Sequence, residues 1–139
     1  TKEGQSAIFQ TAGNTDAHVI LRGGSKHPNY DPESIREAAE KLLAAGLHPQ
    51  LIVDCSHANS GKDPDRQALV CRDLAGQIAK GSHAIAGLML ESHLVAGAQK
   101  QVPGKALTYG QSITDACMNW ETTEVLLKEL AASVQKRRH

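Results

Sequence analysis

The chain has 139 residues, about one domain's length, and balances 15 basic against 15 acidic side chains. That balance excludes a strongly basic nucleic-acid binder or an anionic-membrane binder as the main reading, and no apolar run approaches the length of a membrane span. Aromatic residues make up only 3% of the sequence, so any core has to be aliphatic.

The opening stretch TKEGQSAIFQTAGN starts at Thr1 rather than Met and contains neither a secretory signal nor a start signal for a fold. It reads as cut from something longer, or as preceded by further residues. Next comes a strand over 18–22 (HVILR), closed by Gly23 and Gly24. The stretch YDPESIREAAEKLLAAG predicts a helix. Asp31 is the N-cap and Pro32 the first helical residue. Ile35, Ala38, Ala39, Leu42 and Leu43 recur at helical spacing, and Gly46 supplies the stop. A second strand over 51–55 (LIVDC) is continuously apolar until Asp54, as expected when both faces are covered. After the polar loop SHANSGKD, a helix runs from about 64 to 80, with Val70, Leu74 and Ile78 as its ladder. The third strand spans 84–91 (AIAGLMLE). A long loop with Gly97, Pro103, Gly104 and Gly110 leads to a closing helix from about Trp120, which carries Val125, Leu126, Leu127, Leu130 and Val134. Its basic tail, Lys136, Arg137 and Arg138, reads as a solvated helix end.

The order β-α-β-α-β-α predicts an α/β fold with a parallel sheet. Such sheets are open and doubly wound, or closed into (β/α)₈ barrels. A barrel takes roughly 200 residues or more, so three units are too few to close one. No GxGxxG or GxxxxGK[ST] follows a strand, and a nucleotide-binding sheet gains no support.

In both architectures ligands bind at the carboxyl ends of the strands, and here those ends carry Arg22, then Asp54 with His57, then Glu91. Arg22 before two glycines suits an oxyanion or phosphate. Glu91 closes an apolar run, where a carboxylate is costly unless paired, protonated or metal-bound. His57 and Glu91 can share a cation, with Asp115 of SITDACMNW as the best candidate for a third ligand; the alternative for Asp115 is the N-cap of the last helix. One nitrogen and two carboxylates suit Mn²⁺, Fe²⁺, Co²⁺ or Zn²⁺ better than Ca²⁺. Asp54 or Asn59 is expected to orient His57. His18 opens a strand. His27, His48, His83 and His139 sit in loops or at the end, and His93 is the weaker candidate for the same site. Cys55, Cys71 and Cys117 form no CxxC pair, which points to packed thiols in a reduced, cytoplasmic setting.

The stretches HVILRGG (18–24), VDCSHANSGK (53–62), GLMLESHLVAGAQ (87–99) and YGQSITDACMNWETTEVLLKELA (109–131) closely resemble the class I 3-deoxy-D-arabino-heptulosonate 7-phosphate (DAHP) synthases, the type sensitive to aromatic amino acids. The four motifs occur in the family's order, and the match is to the carboxy-terminal portion of its longer chain. The resemblance implies the sixth to eighth βα units of a (β/α)₈ barrel that condenses phosphoenolpyruvate with erythrose 4-phosphate, the first step of the shikimate pathway. It implies that Arg22 binds the phosphoenolpyruvate phosphate. It also implies that His57, Glu91 and Asp115 are three of four protein ligands of a divalent metal. The family's fourth ligand, a cysteine near the first strand, and its KPRT-type and GPCS-type segments are not in this sequence; Cys55 and Cys117 do not stand at that cysteine's position. Residues 1–17, including Phe9, match part of a regulatory β-hairpin for an aromatic amino acid effector. On this reading the chain needs the amino-terminal part of the same barrel for activity, and the intact protein is a homo-oligomer. Two rivals are a related octulosonate-type synthase and a non-catalytic regulatory or interaction module derived from the barrel.

Overall fold

A computed structural model describes residues 4–8, 10–14 and 16–139. Strands β1 (Val19–Leu21), β2 (Leu51–Asp54) and β3 (Ile85–Met89) form one parallel sheet in the order β1-β2-β3. Helix α1 (Pro32–Ala44) connects β1 to β2. A single turn, α2 (His57–Ser60), and α3 (Arg66–Ala79) connect β2 to β3. Beyond β3, the short strands β4 (Val95–Ala98) and β5 (Gln111–Ser112) make a separate parallel pair, and α4 (Trp120–Arg138) closes the chain.

The α/β order and the parallel sheet follow the hydrophobic pattern; the boundaries do not follow it everywhere. The third strand stops at Met89, two residues short of Glu91, because Glu91 bonds elsewhere. Its N–H donates to Gln67 Oε1 at 2.8 Å, and its carbonyl accepts from the Met118 N–H at 3.0 Å. The expected helix over 64–80 begins at Arg66, and α2 precedes it where a loop was expected. The β4–β5 pair was also read as loop. It lacks an alternating apolar run, and side-chain amides supply much of its bonding: Gln99 Nε2 donates to the Thr108 and Gln111 carbonyls, and Gln111 Nε2 to that of Ala96. Residues 4–8 and 10–14 form no strand, so no hairpin is present among the described residues of 1–17; Phe9 lies outside them.

Burial concentrates on β2, the central strand. Leu51, Val53 and Cys55 are sealed from solvent, against Val70, Cys71, Leu74 and Ile78 of α3 and Leu126 of α4. Val125 and Leu127 stay half exposed, since consecutive residues 100° apart cannot all face one way; Leu130 and Val134 continue the packed stripe. The two helices are tied by Arg72, which donates to both carboxylate oxygens of Glu129 (2.9 and 3.2 Å). Arg137 donates to the Ser82 carbonyl, so the basic tail is docked at that residue and not wholly solvated. The flanking strands differ from β2. Val19 and Ile20 of β1 are 40% and 49% exposed, against the expectation of burial on both faces. Among the described residues β1 and β3 each have one neighbour only, and their outer edges are open.

Local signals act as expected at α1. Asp31 caps it, accepting from the Ser34 N–H at 2.9 Å and the Ser34 hydroxyl at 2.6 Å. Those bonds, the hydroxyl's first, hold the Asp31 carboxyl below the usual carboxylate range. A carboxylate lowered in the folded state adds stability above its unfolded pKa, and that stability is lost as pH falls through the folded value. Asp31→Ala is therefore expected to cost about 1 kcal/mol near neutral pH. In urea titrations the difference from wild type should shrink as pH falls below about 4.

Candidate functional site

The site is built outward from the end of β2. Asp54 is buried there, its side chain only 3% exposed. Its Oδ1 accepts the Ser56 N–H at 2.7 Å, and its Oδ2 lies 2.7 Å from His57 Nδ1. The chain turns sharply at this point, with His57 in the left-handed region at φ 44°. The turn directs the other ring nitrogen toward Glu91: His57 Nε2 lies 3.6 Å from Glu91 Oε1. Ser56 Oγ donates to Glu91 Oε2 at 2.9 Å. Gln67 of α3 grips the Glu91 backbone from behind, accepting its N–H and donating to its carbonyl at 3.2 Å.

Asp115 completes the group. Donor atoms of His57, Glu91 and Asp115 all lie within 4.8 Å of one another, the one such cluster among the described residues. Asp115 does not cap the last helix; Asn119 does, accepting the Thr122 N–H at 3.0 Å. A cavity of about 40 Å³ opens between Ser56, His57, Lys62, Glu91, Asp115 and Ala116. Larger grooves, of about 450 and 620 Å³, run along α1 and at the feet of the strands, but their walls are mainly apolar. The convergence of an imidazole and two carboxylates, not volume, marks the polar cavity as the chemical site.

Asn59 takes a different part from the one expected. It does not bond the His57 ring. Its amide donates to the Leu21 carbonyl at 3.2 Å and the Asp54 carbonyl at 2.8 Å, and its Oδ1 accepts the Asn29 N–H at 2.8 Å. Asn29 in turn accepts the Gly23 N–H at 2.7 Å. Of the two residues expected to orient His57, Asp54 alone touches it, while Asn59 fixes the loop after Arg22. Arg22 itself is exposed and does not line this cavity. His93 accepts the Leu94 N–H and is not in the cluster either. Cys55 and Cys71 are buried; the neighbouring Cys71 thiol and then burial push the Cys55 thiol far up, so it is a packed, unreactive group. Burial also raises Cys117, whose Sγ lies 3.6 Å from the Asp115 carbonyl oxygen.

Sequence reasoning passed over Ser56, Lys62 and Gln67. Ser56 and Lys62 lie in the stretch read as a polar loop, and Gln67 in the stretch read as a helix without being singled out; Gln67 is buried. Only their spacing from His57 on the chain hinted at a shared loop.

Gly23 has a conformational demand. Its φ is 90°, and a Cβ there would sit 2.6 Å from Ala58 Cβ and 2.7 Å from the Asn59 nitrogen. Gly23→Ala should destabilise the protein by about 2–4 kcal/mol. A chemical-denaturation midpoint equal to wild type would show that the β1–α2 contact is looser than this.

Consecutive parallel βα units, with an imidazole and two carboxylates gathered beyond the strands' carboxyl ends, define an α/β protein of the kind that binds ligands at that end of its sheet. The chain belongs to the DAHP synthetase I family, whose sequence model matches residues 2–128. It is 53% identical over 138 residues to a phospho-2-dehydro-3-deoxyheptonate aldolase of Haemophilus influenzae, covering 99% of this chain and 38% of that protein. It is likewise 53% identical to the Phe-sensitive enzyme of that name from Escherichia coli K12, covering 99% of this chain and 39% of that one. A solved structure of phospho-2-dehydro-3-deoxyheptonate aldolase from Francisella tularensis superposes with a TM-score of 0.86 at 47% identity, over 100% of this chain and 40% of that one. The chain thus spans about two fifths of the length of these relatives.

Proposed function

We propose that the intact protein is a DAHP synthase, condensing phosphoenolpyruvate with erythrose 4-phosphate, and that this chain carries the metal-binding part of its active site. The observation that carries the reading is the His57–Glu91–Asp115 cluster, braced by Asp54, in a member of this family. The three βα units are then the sixth to eighth of a (β/α)₈ barrel. Two features support that: the strands follow one another as β1-β2-β3 with no reversal, and both outer edges are open to further strands. The amino-terminal part of the barrel would cover those edges and supply the remaining ligands, so this chain by itself is inactive.

The donor set fits a divalent transition metal. With Nδ1–H donated to Asp54, the His57 Nε2 lone pair is free to coordinate, and it faces two carboxylates. Ser56 occupies one oxygen of Glu91 and leaves the other toward His57. Mn²⁺, Fe²⁺, Co²⁺ and Zn²⁺ all suit one nitrogen with two oxygens. Such an ion, when bound, would supply Lewis acidity to the aldehyde oxygen of the second substrate. The residues of this chain hold and orient. Asp54 fixes the imidazole, and Asn59 fixes the loop that carries Arg22. Arg22 binds the phosphoenolpyruvate phosphate from β1, on the far side of β2 from Glu91. The C=C electron pair of phosphoenolpyruvate would form the bond from C3 to the aldehyde carbon as the aldehyde C=O becomes a hydroxyl; water then adds at C2 and inorganic phosphate leaves, giving the 2-keto product.

Several of the relatives are named for sensitivity to Phe, Trp or Tyr. By that analogy an aromatic amino acid is the effector of the intact protein; the family resemblance further implies a cytoplasmic homo-oligomer. No helix among the described residues is long and apolar enough to cross a membrane.

Two measurements test the reading. Mn²⁺ titration followed by electron paramagnetic resonance should show binding that His57→Ala abolishes and Asp54→Asn weakens about 10- to 100-fold. The intact protein, given phosphoenolpyruvate, should consume erythrose 4-phosphate and not arabinose 5-phosphate, with turnover lost in His57→Ala. Preference for the five-carbon sugar would favour an octulosonate-type synthase. Absence of metal binding and of turnover would favour a non-catalytic module.

A further inference from the structure

Only two residues other than glycine hold positive φ among the described residues, His57 at 44° and Lys62 at 62°. Both line the same cavity, beside Ser56, Glu91, Asp115 and Ala116. A side chain held in the left-handed region costs roughly 1–3 kcal/mol, and such strain collects at functional sites. At His57 the strain has an evident use, because it swings the ring between Asp54 and Glu91. Nothing in the metal-ligand set accounts for Lys62.

The backbone around Lys62 is held firmly. Its N–H donates to the His57 carbonyl at 2.7 Å, closing α2 through Gly61, itself at φ 66°. Two successive left-handed residues end the helical turn and bring residue 62 back over the cavity. Such a C-terminal turn needs a glycine once; a second left-handed position occupied by lysine is not required to stop a helix. The lysine's charge is also uncommitted. It forms no ion pair among the described residues, although Glu91 and Asp115 share the cavity with it. The other described charges that line the cavity are those of the proposed metal ligands.

We propose that Lys62 is a substrate-binding residue whose ammonium receives an anionic oxygen of a phosphorylated substrate brought against the His57–Glu91–Asp115 cluster. The inference rests on the reading of this site as that of a phosphoenolpyruvate-condensing enzyme, and it adds a contact on the helical-turn side of the cavity. The ligand chemistry is a phosphate monoester. Arg22, exposed after β1, holds one phosphate in the reading above, and Lys62 stands at a separate place, next to the metal ligands. Lysine suits this task as a compact point charge on a long stem, able to follow a substrate that moves during reaction.

Phosphate binding can be read separately from metal binding and from turnover. Inorganic phosphate is titrated into the intact protein by ³¹P NMR, and Mn²⁺ is titrated independently by electron paramagnetic resonance. For Lys62→Ala the expected result is a phosphate Kd weakened about tenfold or more. Lys62→Arg should recover most of the loss, and Mn²⁺ affinity should be unchanged or slightly tighter in both. In steady-state assays the KM of one phosphorylated substrate should rise more than kcat falls; whichever KM moves tells phosphoenolpyruvate from erythrose 4-phosphate as the partner. Equal phosphate affinity in Lys62→Ala and wild type, or no phosphate binding by wild type, would overturn the proposal. If Mn²⁺ fails to bind wild type while phosphate binding still depends on Lys62, the metal reading fails and the anion site stands.

Discussion

A carboxylate buried at the end of the central strand has to find partners for its charge, and Asp54 organises this structure by doing so. Burying an unpaired carboxylate is costly. Asp54 meets that demand within three residues of itself, through the Ser56 N–H and the His57 imidazole. Those bonds force the chain to fold back as it leaves β2. The fold-back turns the imidazole toward Glu91, brings the Ser56 hydroxyl to the same carboxylate, and leaves Asn59 beneath the strand ends. A protonated or amidated side chain at 54 would alter the donor pattern for all of these at once.

Two networks therefore meet at one turn of helix. One runs through Asp54, His57, Ser56 and Glu91 and sets the geometry of the ligand cluster. The other runs through Asn59, Asn29 and Gly23 and ties the β1 loop to the same turn. The close approach of Gly23 to Ala58 adds a steric lock to the second network. One amide nitrogen of Asn59 bonds the carbonyl of Leu21, next to Arg22, and that of Asp54, which holds the His57 ring. This kind of support is what holds side chains on different strands to a working geometry.

The βα order was legible because its signals are local and periodic: the Asp31–Pro32 start, the Val70–Leu74–Ile78 ladder, the apolar run into Asp54. Glu91 could be singled out because a carboxylate closing an apolar run conflicts with its surroundings, His57 because it lies just past the end of another strand, and Asp115 as an oxygen donor in the loop that follows. What the pattern did not carry depends on long-range bonding. Gln67 looks like a solvated helix residue, and only the fold puts it against Glu91, 24 positions along the chain. The β4–β5 pair leans on glutamine side chains beside its backbone bonds, which no alternation rule registers. Asn59 was paired with the wrong neighbour for the same reason: its type indicated that it bonds, not to which carbonyls. Half-exposed Val19 and Ile20 show the converse limit. Their exposure marks β1 as an edge strand among the described residues, which an apolar pattern by itself does not reveal.

The three donors of the cluster are not equally enclosed. His57 and Glu91 are about four-fifths covered and backed by Asp54, Ser56 and Gln67, whereas Asp115 lies exposed on a loop between β5 and α4. The cluster thus has a braced wall and one open side. A change at Asp54 or Gln67 would disturb the braced pair and leave Asp115 where its loop puts it, whereas a change in the loop around residues 113–117 would displace Asp115 alone.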